Sequence, residues 1–379
     1  MRPRNVALLS NFLAPYRIEL MGELAARFEK LSILLSTPME PDRDWKPVWG
    51  DLPVHIQRNL SISVRVRHPQ FADRTMIQIP YDTVPQLARS RPDVVVAGEL
   101  GARTAQAAIY RRLFRRGKLV IWATLSERTE ENRGLLRRCL RRILLRSADA
   151  VIVNGESGAR YVSRFGVDKA RIFRAPQTTR IEPFLELPST RPDALRRRLL
   201  YSGQLIPRKG LLAFAAALAE WGAQHAEQSV EIGFVGDGPA RAGLTSFQWP
   251  RNVTARFFGS VEYQRLPEIY GQAGMLVLPT LADEWGLVVV EAMAAGLPVL
   301  GSLYSQAVEE LVVDGRNGWT FRPDHPSGMR SAIHRALSAS VGELNQMAEN
   351  ARQDISGLTP SAMAEQMAAA INYAFASHT

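Results

Sequence analysis

The 379-residue chain has a single cysteine, Cys139. No intrachain disulfide can form, so a disulfide-stapled secreted fold and a cysteine zinc site are excluded. Cys139 falls in an apolar helical stripe and is expected to be a small core residue. Histidine is scarce too: the six are scattered, with no H-E-x-x-H or i,i+4 pair, which argues against zinc. No run approaches the roughly 20 apolar residues of a membrane-spanning helix. The start, MRPRNVALLSNFLAPYRIEL, lacks a long apolar h-region and an A-x-A-like site, so no signal peptide is expected. These absences point to a cytoplasmic protein, soluble or peripheral on the inner face of the plasma membrane.

The positive charge is uneven. Residues 1–190 hold 32 Lys+Arg against 19 Asp+Glu, a balance of +13, whereas residues 191–379 hold 15 against 18, a balance of −3. Such asymmetry points to an anionic partner for the first half: a membrane surface, a nucleic acid or a phosphorylated substrate. Two helical segments concentrate it, YRRLFRRGK (110–118) and LLRRCLRRILLR (135–146). In the second, Arg137, Arg138, Arg141 and Arg142 are expected to share one face, opposite Leu136, Leu140, Ile143 and Leu144. That face is either simply solvated or docks to anionic lipid or a lipid-diphosphate acceptor. Stacking aromatics and any RNA or DNA module are missing, so no nucleic-acid partner is expected.

Buried apolar runs alternate with amphipathic helical patterns along the chain. NVALLS (5–10), LSILLS (31–36), PDVVVAG (92–98), LVIWAT (119–124) and ADAVIVNG (148–155) read as strands. The rhythm breaks at the proline-rich EPFLELPSTRPDALRRR (182–198). It then restarts with RLLYSG (198–203), VEIGFVG (230–236), VTARFFG (253–259), GMLVLPT (274–280) and PVLGS (298–302). Continuous apolar strands separated by helices specify parallel sheets covered on both faces. The expected fold class is therefore α/β, with two tandem Rossmann-like doubly wound domains. The first covers residues 1–185, a linker 186–198, and the second 199–358. In such sheets ligands sit at the carboxyl ends of strands.

The stretch LADEWGLVVVEAMAAGLPVL (281–300) carries the chemistry. A strand ends at Pro279, a loop follows, and a helix begins at Gly286. The helix start offers unpaired amides and positive potential, which suits a diphosphate. Glu291 lies about one and a half turns further in, where a carboxylate can accept two ribose hydroxyls. Asp283 precedes the helix and can reach a sugar beyond the diphosphate. In the plainer reading Asp283 is a helix cap and Glu291 a surface residue. Against that, Glu291 sits inside the apolar run LVVVEAM, where an unpaired charge is costly.

DEWGLVVVEAMAAGLPVL resembles the Glu-x7-Glu signature of the retaining family 4, or group 1, glycosyltransferases. Other segments resemble that family in order: YSGQLIPRKG (201–210), FVGDGPAR (234–241), FFGSVEYQRLPEIYGQAGMLVLPT (257–280) and VEELVVDGRNGWTF (308–321). Residues 1–190 match more loosely: SNFLAPYRIELMGEL and RSADAVIVNGESGARYVSRFGV look like the acceptor-side domain of bacterial polysaccharide members. The resemblance implies the two-domain GT-B fold with the donor in the cleft between domains. It also implies that a helix within residues 359–379 crosses back to the first domain.

By this match Lys209 contacts donor phosphate, and Gly286, Leu287 and Val288 offer it backbone amides. Glu291 holds the ribose, and Asp283 touches the transferred sugar and stabilises charge in the transition state. Gly203, Arg208 and Glu284 complete the donor-binding set. The position where the family usually has an arginine is Gln204, so Arg208 or Arg17 supplies the second positive charge. IWATLSERTEEN (121–132) lacks the family's active-site histidine, and Glu127 or a backbone carbonyl there takes its role. Asn11, Tyr16 and Arg17 are expected to line the acceptor side of the cleft.

The implied reaction is transfer from a nucleoside-diphosphate sugar to a hydroxyl of a glycan or lipid-linked acceptor, with retention and without a metal or other cofactor. Asp42-Arg-Asp44 is a D-x-D pair of the kind that binds metals elsewhere, and is read as a turn. Two other functions suit the same fold: a nucleotide-sugar epimerase, and a non-catalytic sugar-nucleotide-binding protein.

Overall fold

A computed structural model describes residues 2–39, 48–68, 70–132 and 134–377. Asp42-Arg-Asp44 lies outside the described residues. The chain forms two compact units: residues 1–69, 73–180 and 358–379 make unit 1, and residues 70–72 and 181–357 make unit 2. Among the described residues no helix is long and apolar enough to cross a membrane.

Unit 1 contains strands β1 (Asn5–Ser10), β2 (Lys30–Leu35), β3 (Val54–Ile56), β4 (Asn59–Arg67), β5 (Ala72–Pro80), β6 (Val94–Gly98), β7 (Lys118–Ala123), β8 (Ala150–Val153) and β9 (Ile172–Arg174). Seven form a parallel sheet in the order β3-β2-β1-β6-β7-β8-β9, while β4 and β5 make a separate two-stranded sheet. The order reverses direction at the β1/β6 pair, which is the switch point of a doubly wound sheet. Alternate side chains divide between the two faces. Val6 and Leu8 join one core cluster, Ala7 and Leu9 the other. The C-terminal helix Pro360–Ala376 packs into the first cluster through Met363, Met367 and Ile371, beside Met21 and Leu24. Thr359 caps it by accepting from the Ala362 amide at 3.2 Å, and Pro360 fits the first turn, where no N–H is needed. Helices Ala102–Phe114 and Leu135–Ser147 supply Ala107, Tyr110, Leu144 and Leu145 to the second cluster.

The helix Leu135–Ser147 corrects the expectation for its two faces. Arg141, assigned to the polar face, is buried and pairs with the equally buried Glu130 at 2.6 Å. Its guanidinium also lies 5.7 Å from the centre of the Tyr161 ring, whose hydroxyl donates to Glu130 at 3.2 Å. Leu136, Leu140 and Ile143, assigned to the core face, are exposed, and so is Cys139, which is therefore no core residue. The reason is tertiary. Only Arg141, Leu144 and Leu145 turn inward, and Glu130 and Tyr161 supply the charge and ring that make a buried guanidinium tolerable.

Unit 2 contains β10 (Arg198–Ser202), β11 (Val230–Val235), β12 (Val253–Gly259), β13 (Met275–Leu278), β14 (Val299–Ser302) and β15 (Gly318–Phe321). All six are parallel, in the order β12-β11-β10-β13-β14-β15. Here the switch point lies between β10 and β13. Part of the proline-rich stretch is packed inside this unit. The short helix Glu182–Leu185 buries Phe184 edge-on against Tyr270 at 5.2 Å, and the Arg191 guanidinium donates to the Ala295 carbonyl at 2.7 Å. The doubly wound expectation is met in both units.

Candidate active site

Two loops of unit 2 meet at the β10/β13 switch point. The first follows β10. Gly203 ends the strand and donates its amide to the Val235 carbonyl at 2.9 Å. The chain then passes Gln204 and reaches the single turn Pro207–Lys209. Gly210 closes that turn at φ +67°, and a Cβ there would fall 2.3 Å from the Pro279 carbonyl oxygen. Only glycine lets the loop lie this close to the end of β13. Three contacts fix the approach. The Leu281 amide donates to the Arg208 carbonyl at 2.8 Å, the Thr280 hydroxyl to the same oxygen at 3.3 Å, and Arg208 Nη1 to the Ala282 carbonyl at 3.0 Å. Lys209 and Arg208 are thereby held over the second loop.

That second loop carries Asp283, Glu284, Trp285 and Gly286 into the helix Leu287–Ala294. Gly286 has φ +107°, and a Cβ there would sit 2.8 Å from Ser305 Oγ. Ser305 in turn donates to the Trp285 carbonyl at 2.5 Å, and Gln306 Nε2 to the Glu284 carbonyl at 2.6 Å. The helix start is thus pinned from the neighbouring chain segment, with Leu287 and Val288 in its first turn, where amides have no intrahelical acceptor. Glu284 is exposed beside Asp283, and its amide donates to Asp283 Oδ1 at 3.0 Å.

The two signature acids have opposite surroundings. Lys209 Nζ donates to Asp283 Oδ2, and Arg208 Nη1 lies 3.8 Å from Oδ1. Burial acts to raise the Asp283 carboxyl, but the Lys209 and Arg208 charges, with the hydrogen bonds from Lys209 and the Glu284 amide, outweigh it and hold it below the usual carboxylate range. Asp283 is ionised at neutral pH. Glu291 is 5% exposed on a helix that is buried on nearly every side. Among the described residues no cation lies beside it to match those of Asp283. Burial pushes its carboxyl up to about 7, and the Tyr270 hydroxyl, donating to Oε2 at 3.0 Å, opposes this only in part. Neither plain reading fits: Asp283 makes no cap to the helix side, and Glu291 is no surface residue.

The unit 1 residues fall into two groups. Asn11 follows β1 at the other switch point. Its Oδ1 is 3.5 Å from Arg103 Nη1, which also donates to Ser36 Oγ at 2.8 Å. Arg17 stacks 4.8 Å from the centre of the Trp122 ring and 5.7 Å from that of Tyr16, and its Nη2 reaches Gln177 at 3.4 Å. Glu127 is engaged elsewhere. Its carboxylate is held by Arg160 at 2.8 Å and by Arg164, with the Ser157 hydroxyl at 3.5 Å. Both arginine contacts come from unit 1 itself. Among the described residues no cluster of His, Cys, Asp and Glu could hold a metal ion.

Sequence reasoning missed two groups. Tyr270, the partner of Glu291, is 21 residues away in the chain and carries no local signal. Glu99 directly follows β6 at the β1/β6 switch point, and Arg103 Nη2 donates to its carboxylate at 2.7 Å. Its φ of +68° is unusual for a residue with a side chain, and such strain collects at functional positions. A carboxylate directly after PDVVVAG was visible in the sequence as a strand-end acid.

Comparison with known proteins bears on this site. Residues 196–339, which contain both loops, match the family model for glycosyl transferases group 1. A D-inositol 3-phosphate glycosyltransferase of Nocardiopsis dassonvillei is 29% identical over 218 residues, covering 52% of this chain and 49% of that protein. An uncharacterized glycosyltransferase of Methanocaldococcus jannaschii is 26% identical over 161 residues, 42% of this chain and 40% of that one. The chain thus spans two fifths to one half of the length of these curated relatives. Among solved structures, a lipopolysaccharide outer core galactosyltransferase, WaaB, superposes with a TM-score of 0.71 at 13% identity, over 97% of this chain and 98% of that one. Anabaena HepE in complex with UDP gives 0.71 at 18% identity, over 96% and 98%. These likenesses establish the fold as GT-B, and the family match supports a group 1 glycosyltransferase domain in unit 2.

Proposed function

We propose that the protein is a retaining, metal-independent glycosyltransferase that moves a sugar from a nucleoside-diphosphate sugar to an acceptor hydroxyl. One observation carries the reading: Lys209, Arg208, Asp283 and the amide end of helix Leu287–Ala294 converge at the β10/β13 switch point. The bond between the anomeric carbon and the diphosphate oxygen breaks and its electron pair leaves with the diphosphate, while the acceptor oxygen bonds the anomeric carbon and its proton passes to the departing diphosphate. Lys209, Arg208 and the helix amides lie where that charge develops and are already oriented by Asp283, Ala282 and Ser305, so they stabilise it without reorganising. Asp283, ionised throughout, faces the positive charge that grows on the sugar. Glu291 accepts the ribose hydroxyls. Retention rests on the resemblance of the signature alone.

On the acceptor side Asn11, Tyr16 and Arg17 receive the acceptor hydroxyl. We assign the acceptor to a lipid-linked or polysaccharide intermediate of cell-surface glycan synthesis, met at the inner face of the plasma membrane. The +13 balance of residues 1–190 and the likeness to a lipopolysaccharide galactosyltransferase support this choice.

The test is a donor panel. UDP-, GDP-, ADP- and dTDP-sugars are incubated with the protein and a membrane lipid extract, with and without EDTA. Diphosphate release from one donor that survives EDTA is the expected result. Interconversion of free sugar nucleotides would instead make the protein an epimerase, and binding without release would make it a carrier.

A further inference from the structure

We infer that helices Ala102–Phe114 and Leu135–Ser147 of unit 1 form a docking face for an anionic lipid bilayer. The observation is an inverted helix. Leu136 is 90% exposed and Ile143 65%, while Arg141 of the same helix is buried. The neighbouring helix exposes Leu113 to 67% and Phe114 to 51%. Both helices cover the same face of the unit 1 sheet and pack against each other. A water-soluble surface rarely spends large side chains this way on two adjacent helices, and such exposure marks a contact face.

The inversion is locked. The Arg141–Glu130 pair and the buried Leu144 and Leu145 set the rotation of the second helix, so its leucines cannot turn inward without breaking a buried ion pair. The first helix is tied to it as well: Arg111 Nη1 donates to the Ser147 carbonyl at 2.7 Å and Nη2 to Asp149 at 3.0 Å.

Charge names the occupant. Neither helix contains a single acidic residue, and Arg112, Arg138, Arg142 and Arg146 are exposed among the apolar side chains. Leucines entering the acyl boundary while arginines reach headgroup phosphates is the pattern of an interfacial helix. A second copy of the chain fits worse, because a two-fold interface sets the same arginines against one another.

This inference deepens the membrane-side part of the proposed function. It is tested without donor or acceptor, so its failure and the failure of the transferase reading are separate results. The full-length protein is sedimented with vesicles of pure phosphatidylcholine and with vesicles containing phosphatidylglycerol. Binding is expected only with phosphatidylglycerol, and it should weaken steeply with salt, since each surface arginine contributes about fivefold. The double variant Leu136→Glu, Ile143→Glu should lower vesicle binding at least about tenfold while circular dichroism and melting stay unchanged, because both side chains already face solvent. Leu113→Ser on the other helix should lower it in the same direction. No binding to phosphatidylglycerol vesicles at low salt overturns the inference. So does concentration-dependent dimerisation abolished by the double variant, which would assign the face to a second copy. Vesicle binding that survives the double variant undiminished also overturns it.

Discussion

Glu291 offers a prediction whose size follows from burial. Its carboxyl titrates near 4.5 in the unfolded chain and about 7 in the folded one. Folding therefore favours the protonated form. Below pH 4.5 the side chain is protonated in both states and its contribution to stability is fully present. Between about 4.5 and 7 the native state binds the extra proton, so stability falls as pH rises, and above 7 the loss is complete. At about 1.4 kcal/mol per unit the loss is about 3 kcal/mol. Glu291→Gln removes this dependence. The amide oxygen still accepts from Tyr270, and the volume hardly changes. Urea unfolding of both proteins at pH 5 and pH 8 gives four values. The wild type should lose about 3 kcal/mol more than the variant between these pH values, and the difference of differences cancels every group the two proteins share. Parallel pH profiles would refute the claim that burial dominates at Glu291.

Four further outcomes are expected. Glu291→Ala should abolish donor binding through loss of the ribose contact, and calorimetry with the active nucleoside diphosphate reads it directly. Lys209→Ala should weaken donor binding about 10- to 100-fold, the worth of one charge-assisted hydrogen bond, and undiminished affinity would remove Lys209 from the phosphate site. Gly286→Ala forces a Cβ to within 2.8 Å of Ser305 Oγ at φ +107°, and should cost about 1–3 kcal/mol in urea unfolding together with donor affinity. Arg141→Ala leaves the Glu130 carboxylate buried without its guanidinium, so it should destabilise the fold by about 3–5 kcal/mol, whereas Arg138→Ala, on the exposed face, should change stability by less than about 0.5 kcal/mol.

The candidate site of unit 2 was largely legible because its parts are local. A glycine that must adopt positive φ, a helix that must start there, and two acids with seven residues between them are all written within Leu281 to Ala294. The long-range contacts that complete it were not. Asp283 meets Lys209 across 74 residues, and Tyr270 reaches Glu291 across 21, through the order of β10 and β13 in the sheet. On the acceptor side the distance told more heavily. Glu127 stood at a plausible strand end, yet Arg160 of the helix Glu156–Ser163 and Arg164 just after it occupy it, while the strained acid at the switch point is Glu99.

The sequence by itself determined the strands of both main sheets except the short β3, β9 and β15, the doubly wound class, and the glycine turn from which the helix Leu287–Ala294 starts. Those follow from apolar periodicity and from glycine stereochemistry, which act within a few residues. Only the tertiary structure decided which side of the helix Leu135–Ser147 is inside. Its pattern LLRRCLRRILLRS defines an apolar side and a basic side, but which one is buried depends on what waits beneath it. Glu130 and Tyr161 wait there for Arg141, and the energy of one buried ion pair with its aromatic contact, set by long-range packing, turned four apolar side chains out to solvent.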